Sequence, residues 1–228
     1  MRIISAAIDS RGGQRNVDIP VGELVLAGWT GRDKAAMEHH IAELEALGVK
    51  RPATTPIFYR VSAARITTDD AIEAVGTDTS GEVEFVLVSC AGELLVGVGS
   101  DHTDRKAETF GITLSKQLCE KPVASTFWLV SDVVDHWDEL VLRAFLVNQG
   151  RRELYQEGPL ARMLPPQELI HGATARSILP DGTMMFGGTL PAIGGIRGGQ
   201  RFEGELEDPQ SGRRIAFAYD VRCLPVLG

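Results

Sequence analysis

Acidic side chains recur in one short part of the sequence, where they could together bind a metal ion. Glu82 and Glu84 are two residues apart, so on a strand both carboxylates lie on one face. Asp101 follows a second apolar run, and a hairpin of the two runs would return it to the Glu82 end. Three carboxylates suit a hard cation such as Mg²⁺, which prefers oxygen ligands and keeps water or substrate in its remaining positions. The alternatives are a solvated strand end for the glutamates and a turn or helix cap for Asp101.

A second candidate group lies on the clearest helix that the sequence predicts, over residues 33–47. His40 and Glu43 are three residues apart and share a face, and a histidine held by a carboxylate is a common general base. His39 pairs with Glu43 nearly as well by spacing. The helical phase favours His40, because it lies on the flank of the apolar stripe through Ile41 while His39 faces solvent. The alternative is that both histidines are solvated surface residues.

Lys116 is a lone cation beside an apolar stretch. It could neutralise an anionic substrate, although an ordinary exposed lysine is the alternative. The glycine pairs at 187–188 and 194–195 lack the G-x-x-x-x-G-K-[ST] pattern and the strand–turn–helix context of a phosphate-binding loop.

The elements that must position these residues are mostly short strands. The central feature is a hairpin of strands 82–90 and 93–99 joined at Ala91-Gly92. Proline at a first helical turn predicts a short helix over 166–172. The other predicted strands are 2–8 and 23–29, joined by the turn 10–13, then 57–63, 201–207 and 213–222, whereas the apolar runs 126–134 and 139–147 fit a strand or a helix. We therefore expect an α+β, β-rich fold and a single domain over 1–228, because no linker divides the chain.

Composition limits the possible functions. The chain has 228 residues, 43% of them hydrophobic, which is ample for a hydrophobic core. Its formal charge of −8 disfavours nucleic acid as a partner, because phosphate backbones attract clustered Lys and Arg. The 3 cysteines include no C-x-x-C pair, and neither a signal peptide nor a membrane span is evident. We expect a cytoplasmic protein with no membrane partner.

Taken in order, these segments resemble the fumarylacetoacetate hydrolase superfamily. The motifs share their order and spacing with that superfamily from about residue 24 to about residue 205. They are a histidine–glutamate segment at Gly28 to Glu43, Glu82-Val83-Glu84, Asp101 to Arg105, Lys116, Gln156-Glu157-Gly158 as a turn after a strand, and a late loop from Asp181-Gly182-Thr183 to Gly188-Thr189. The Asn-Tyr pair that precedes the histidine in the family is absent from this chain. The family's Gly-Thr-Pro loop is one residue longer in this chain.

The resemblance implies a mixed β-roll of the superfamily's C-terminal type, usually a homodimer. It implies Mg²⁺ or Mn²⁺ on Glu82, Glu84 and Asp101. It also implies catalytic roles for His40, Glu43 and Lys116 and substrate contacts from Arg105 and Thr189. The N-terminal β/helix portion, about 1–55, is expected to close over the site as a lid.

The resemblance implies a Mg²⁺-dependent hydrolase or lyase acting on C–C bonds of 2-oxo acids or 1,3-dicarbonyl compounds, by hydrolysis or decarboxylation. Such reactions pass through an enolate, whose charge a chelated metal stabilises. A 2-oxo acid hydratase or dehydratase is the first alternative, because it uses the same chemistry. A metal- or ligand-binding protein without catalysis is the second.

Overall fold

The structure is a computed structural model that describes residues 1–46 and 51–227. Within the first helix it describes the backbone but not the side chains of Ala36, His40, Glu43, Leu44 and Ala46. Across the described residues, we find no helix with the length and apolar character needed to cross a membrane.

The described residues form a β-rich fold with short helices between the strands. The strands are β1 (Arg2–Ser10), β2 (Gly13–Val21), β3 (Glu23–Gly28), β4 (Ile57–Val61), β5 (Ile66–Thr67), β6 (Ala71–Val75), β7 (Thr79–Ser80), β8 (Val83–Cys90), β9 (Glu93–Ser100), β10 (Thr103–Asp104), β11 (Lys121–Pro122), β12 (Thr126–Leu129), β13 (Val141–Asn148), β14 (Arg151–Pro159), β15 (Thr183–Thr189), β16 (Arg201–Asp208) and β17 (Arg213–Leu224). The α-helices are α1 (Lys34–Ala46), α2 (Arg105–Glu108), α3 (Ile112–Leu118), α4 (Val130–Val133) and α5 (Pro166–Thr174), and 3₁₀ turns cover Ala63–Arg65, Val134–Glu139 and Leu160–Arg162.

The strands form two main sheets. The larger sheet has the order β2-β1-β12-β9-β8-β15-β3-β4, and the second sheet has the order β14-β13-β16-β17-β6. Two short pairs, β10 with β7 and β11 with β5, lie beside them. The short pairs hold β10 and β11, the two strands that follow β9 in the sequence.

The predicted central hairpin is confirmed as β8 and β9. Val83 pairs with Ser100 at its open end and Cys90 with Glu93 at its closed end. β8 is apolar at most of its positions because both of its faces are buried. Phe85 and its alternate neighbours face a core shared with the second sheet, while Val86 and its alternate neighbours face a core under β1 and β2.

Several predicted elements are confirmed and others need correction. The helix after Pro165 and the two late alternating strands are present as α5, β16 and β17. The prediction that the turn 10–13 joins strand 2–8 to strand 23–29 is wrong: the turn leads into β2, which pairs with β1 and places Arg2 opposite Val21. The sequence hid β2 because its first residues, 13–16, are exposed and polar, so they resemble a loop. Of the two ambiguous runs, the first is β12 followed by α4, and the second is β13.

Two adjacent glycines shape the strand beside the hairpin. Pairing of β15 with β8 is regular up to Phe186 and resumes at Thr189, so the intervening residues form a bulge. The Phe85 ring packs on Gly187, where an added Cβ would lie 2.0 Å from a ring carbon. Gly188 has φ +98°, a conformation that side chains rarely adopt. The bulge aims the Gly188 N–H at the carboxylate of Glu84, at 2.7 Å.

We expect Gly187→Ala to lower the free energy of unfolding by about 1–3 kcal/mol, because the methyl group overpacks the site of the buried Phe85 ring. Gly12→Ala is the control, since an added Cβ there meets no atom closer than 3.7 Å. Urea denaturation of both variants checks the prediction. Equal stability of the two variants would contradict it.

Candidate metal centre

The hairpin brings three carboxylates together at its open end. One oxygen from each of Glu82, Glu84 and Asp101 lies within 4.8 Å of the others. The alternation of β8 directs Glu82 and Glu84 to one face, and the Asp101 N–H donates to the Glu82 carbonyl at 3.0 Å. Asp101 is fully buried and Glu84 is nearly so, while Glu82 is partly exposed on the open side. The geometry is the one that the sequence spacing predicts.

Asp101 lies between two buried lysines. Lys116 Nζ donates to its Oδ2, and Lys121 Nζ lies 3.1 Å from its Oδ1. Lys121 also donates to the His102 carbonyl at 2.6 Å. Burial acts to raise the pKa of Asp101, but the two ammonium groups outweigh burial and lower the pKa to about 2. Asp101 is therefore charged at neutral pH. The two lysines orient its two oxygens, so it is a candidate metal ligand.

Glu84 has the opposite electrostatic environment. Burial raises its pKa well above the usual range, and the charge of Asp101 raises it further, while Lys116 acts to lower it. Its carboxylate accepts the Gly188 N–H, and no lysine donates to it among the contacts described. In the metal-free protein this carboxyl group is therefore the one that favours holding a proton.

Lys116 reaches the carboxylates from α3, a helix that begins after Gly111. Its ammonium lies 5.8 Å from the centre of the Tyr59 ring, and the side chain is 10% exposed. Burial acts to lower the pKa of Lys116, but Asp101 and both glutamates raise it overall. Lys116 is therefore a charged residue at the edge of the triad, in reach of a ligand.

Arg105 binds the protein's own acidic groups. Its guanidinium lies 2.8 Å from Glu82 and 3.0 Å from Glu108, and Nε donates to Ser80 at 2.7 Å. These contacts orient Glu82. A direct contact between Arg105 and substrate stays a prediction.

Thr189 lies beside the triad as the strand partner of Glu84. Its hydroxyl donates to the Val83 carbonyl at 2.8 Å and accepts a hydrogen bond from Gln156 at 2.8 Å. Gln156 also accepts the Val83 N–H at 2.9 Å. Thr189 thus supports the hairpin end, and its contact with substrate stays a prediction.

The predicted helix that carries the histidines is present as α1. The Asp33 carboxylate accepts the Ala35 N–H at 3.0 Å, which caps the start of α1. Ile41 is buried and His39 is exposed, in agreement with the predicted phase. The side chains of His40 and Glu43 lie outside the described part of the chain, so their catalytic roles stay predictions.

The sequence analysis missed two residues of this centre and placed two others in the wrong kind of element. Lys121 was missed because a lysine next to Pro122 looks like a surface residue. Tyr59 gave no signal at all, because only the pairing of β3 with β4 brings it to Lys116. Gln156 and Gly158, which we expected in a turn, lie within β14 instead. The polar residues at both ends of β14 conceal a strand whose middle is buried.

The donor set is compatible with a divalent cation. Carboxylate oxygens are the ligands that Mg²⁺ and Mn²⁺ prefer, and like charges this close repel each other unless a cation or a proton intervenes. Glu82, Glu84 and Asp101 would hold the ion. A bound ion would offset the burial and the charge repulsion that together keep the pKa of Glu84 high.

A family model matches residues 27–219, which is most of the chain. The chain belongs to this family. It is described as "Protein of unknown function (DUF2848)", so membership assigns no activity. No curated protein matches the sequence.

Several solved structures share the fold. One titled "Crystal structures of Cg1458" has a TM-score of 0.65 and 13% identity, over 98% of this chain and 100% of that one. A 2-keto-3-deoxy-D-arabinonate dehydratase complexed with magnesium and 2,5-dioxopentanoate has a TM-score of 0.66 and 17% identity, over 94% of this chain and 78% of that one. At these identities the likeness establishes a shared fold and leaves the activity of this DUF2848 member open.

We expect Asp101→Asn and Glu84→Gln to have different effects on stability when EDTA keeps metal away. Asp101→Asn leaves Lys116 and Lys121 buried without their carboxylate, which costs about 3–5 kcal/mol of unfolding free energy. Glu84→Gln removes a carboxylate that burial disfavours, so the unfolding free energy stays the same or rises. Chemical denaturation at neutral pH measures both. A loss of similar size in the two variants would contradict the electrostatic description.

Proposed function

We propose that this protein is a divalent-metal-dependent lyase acting on 2-oxo acids, and a divergent member of the fumarylacetoacetate hydrolase superfamily. The observation that carries the proposal is the buried triad of Glu82, Glu84 and Asp101 with Lys116 at its edge. The shared fold supports it, because one of the structures with this fold is a dehydratase bound to magnesium and a dioxo acid.

The charges of the site suit an anionic ligand that chelates a metal. A divalent ion supplies Lewis-acid stabilisation of the negative charge that develops on the oxygen of a 2-oxo group. Three carboxylates and one such ion have a net charge of −1. The ammonium groups of Lys116 and Lys121 reverse that sign, so the site as a whole attracts a carboxylate. Lys116 is the one of these two lysines with an exposed part.

Elimination of water is the reaction that we place first, because the dehydratase has the same fold. Cleavage of a C–C bond by hydrolysis or decarboxylation needs the same stabilised enolate, and the triad does not distinguish these reactions. The cytoplasmic location, the homodimer and the single catalytic domain over 1–228 remain part of this proposal.

Of the N-terminal portion, about 1–55, only the part after β3 remains the proposed lid, because β1, β2 and β3 are strands of the larger sheet. Its base is held firmly: Arg32 pairs with Asp138 at 2.5 Å, and the Leu164 N–H donates to the Thr30 carbonyl at 2.7 Å. The helix α1 follows directly. A segment fixed at its base and carrying His40 and Glu43 on the following helix is suited to deliver a base on closure.

We expect the protein to bind Mn²⁺ and to turn over a 2-oxo acid. Calorimetry with Mn²⁺ tests binding, and assays with 3-deoxy-2-oxo sugar acids, oxaloacetate and acylpyruvates in Mg²⁺ test turnover and reaction type. Glu82→Gln should lower the rate by about 10³-fold, because it removes a metal ligand. Glu93→Gln, at the opposite end of the same hairpin, is the control. Metal binding without turnover of any compound would leave a non-catalytic binding protein.

We expect His40→Ala to abolish turnover and to leave Mn²⁺ affinity nearly intact, because the proposed base moves a proton without binding the metal. His39→Ala, on the neighbouring position of α1, should change little. Steady-state kinetics and calorimetry of both variants measure the difference. Equal and mild effects would show that α1 carries no chemistry.

A further inference from the structure

A chain of buried hydrogen bonds lies directly behind the metal centre. The Glu82 N–H donates to Ser100 Oγ at 3.2 Å, and Ser100 Oγ lies 2.8 Å from the Tyr219 hydroxyl. That hydroxyl lies 2.9 Å from His102 Nδ1, and His102 Nε2 lies 2.6 Å from Thr79 Oγ1. All four side chains are buried. Side chains alone therefore link the backbone of Glu82 to β7.

The direction of each hydrogen bond can be assigned by starting from Thr79, at one end of the chain of bonds. When the Thr79 hydroxyl donates to the Thr103 carbonyl, at 3.1 Å, its oxygen accepts from His102 Nε2–H. In a neutral ring Nδ1 then has a lone pair, which accepts the Tyr219 O–H. Tyr219 in turn accepts the proton of Ser100. The order is complete, so removing one hydroxyl leaves a buried donor and a buried acceptor unpaired.

The chain of hydrogen bonds connects parts of the molecule that carry the proposed ligands. Ser100 and His102 are the two neighbours of Asp101, and the first donor is the backbone of Glu82. Tyr219 comes from β17 of the second sheet, far along the sequence. The hydroxyl of Tyr219 thus ties the second sheet to the strand ends that carry Glu82 and Asp101.

Packing alone does not require the Tyr219 hydroxyl. The ring stacks on Phe202 with centroids 5.4 Å apart and on Phe217 at 6.1 Å, contacts that a phenylalanine would keep. The hydroxyl instead fills the gap between Ser100 and His102. Among the contacts described, the Tyr219 hydroxyl therefore serves to hydrogen-bond Ser100 and His102, the residues on either side of Asp101.

We propose that Tyr219 and His102 are positioning residues of the metal centre, which fix Asp101 relative to Glu82 through this chain of hydrogen bonds. The inference rests on the proposed metal-dependent function. Neither residue is among the three carboxylates that would hold the metal. Groups that orient metal ligands typically change metal affinity by about 10- to 100-fold when they are removed.

Tyr219→Phe tests the proposal, and Tyr155→Phe is the matched control. Tyr155 is also buried and also contacts Phe202, at 6.4 Å between centroids, but its hydroxyl meets the Arg197 N–H at 3.4 Å and lies outside this chain of hydrogen bonds. Three measurements are made on each variant. Calorimetry gives the Mn²⁺ affinity, electron paramagnetic resonance gives the spectrum of bound Mn²⁺, and denaturation gives the stability of the metal-free protein.

We expect Tyr219→Phe to weaken Mn²⁺ binding by about 10-fold or more and to broaden the spectrum, whereas Tyr155→Phe changes neither. Ser100→Ala, which breaks the same chain at another link, should reproduce the loss. Reduced stability of Tyr219→Phe with wild-type affinity and spectrum would overturn the proposal. Failure of the wild-type protein itself to bind Mn²⁺ would overturn the proposed function, and this inference with it.

Discussion

Repulsion among three carboxylates at the end of one buried hairpin is the interaction on which the rest of the site depends. Glu82, Glu84 and Asp101 come within 4.8 Å of one another where little water can screen them. The negative charge of each carboxylate is offset in a different way. Asp101 has two lysines, Glu82 has Arg105, and Glu84 has a backbone N–H and a raised pKa.

This asymmetry leaves Glu84 without a basic side chain that donates to it among the contacts described. A site built only for stability would replace such a cluster with apolar side chains, because burying charges is costly even when they are paired. The fold instead retains a buried carboxyl group, that of Glu84, whose charged form a further cation would favour. Electrostatic strain of this kind is typical of binding and catalytic sites.

The surrounding structure is arranged to hold the hairpin end. The bulge at Gly187-Gly188 directs an N–H at Glu84, Gln156 ties Val83 to Thr189, and Tyr219 joins the second sheet to the same end. These supports come from three strands distant in sequence. A metal site needs such support from several strands, because its ligands are flexible side chains and the site loses affinity for the metal when their spacing varies.

The sequence by itself determined the hairpin and its carboxylates. Residues two apart on a strand share a face, and a two-residue turn returns the chain to its start, so local geometry was enough to bring Asp101 to Glu82. Only the tertiary structure decided what surrounds them. Lys121, Tyr59 and Tyr219 reach the site through contacts between separate strands, which no local pattern records. Burial then set their chemistry, because it depends on the whole packed chain rather than on any segment of it.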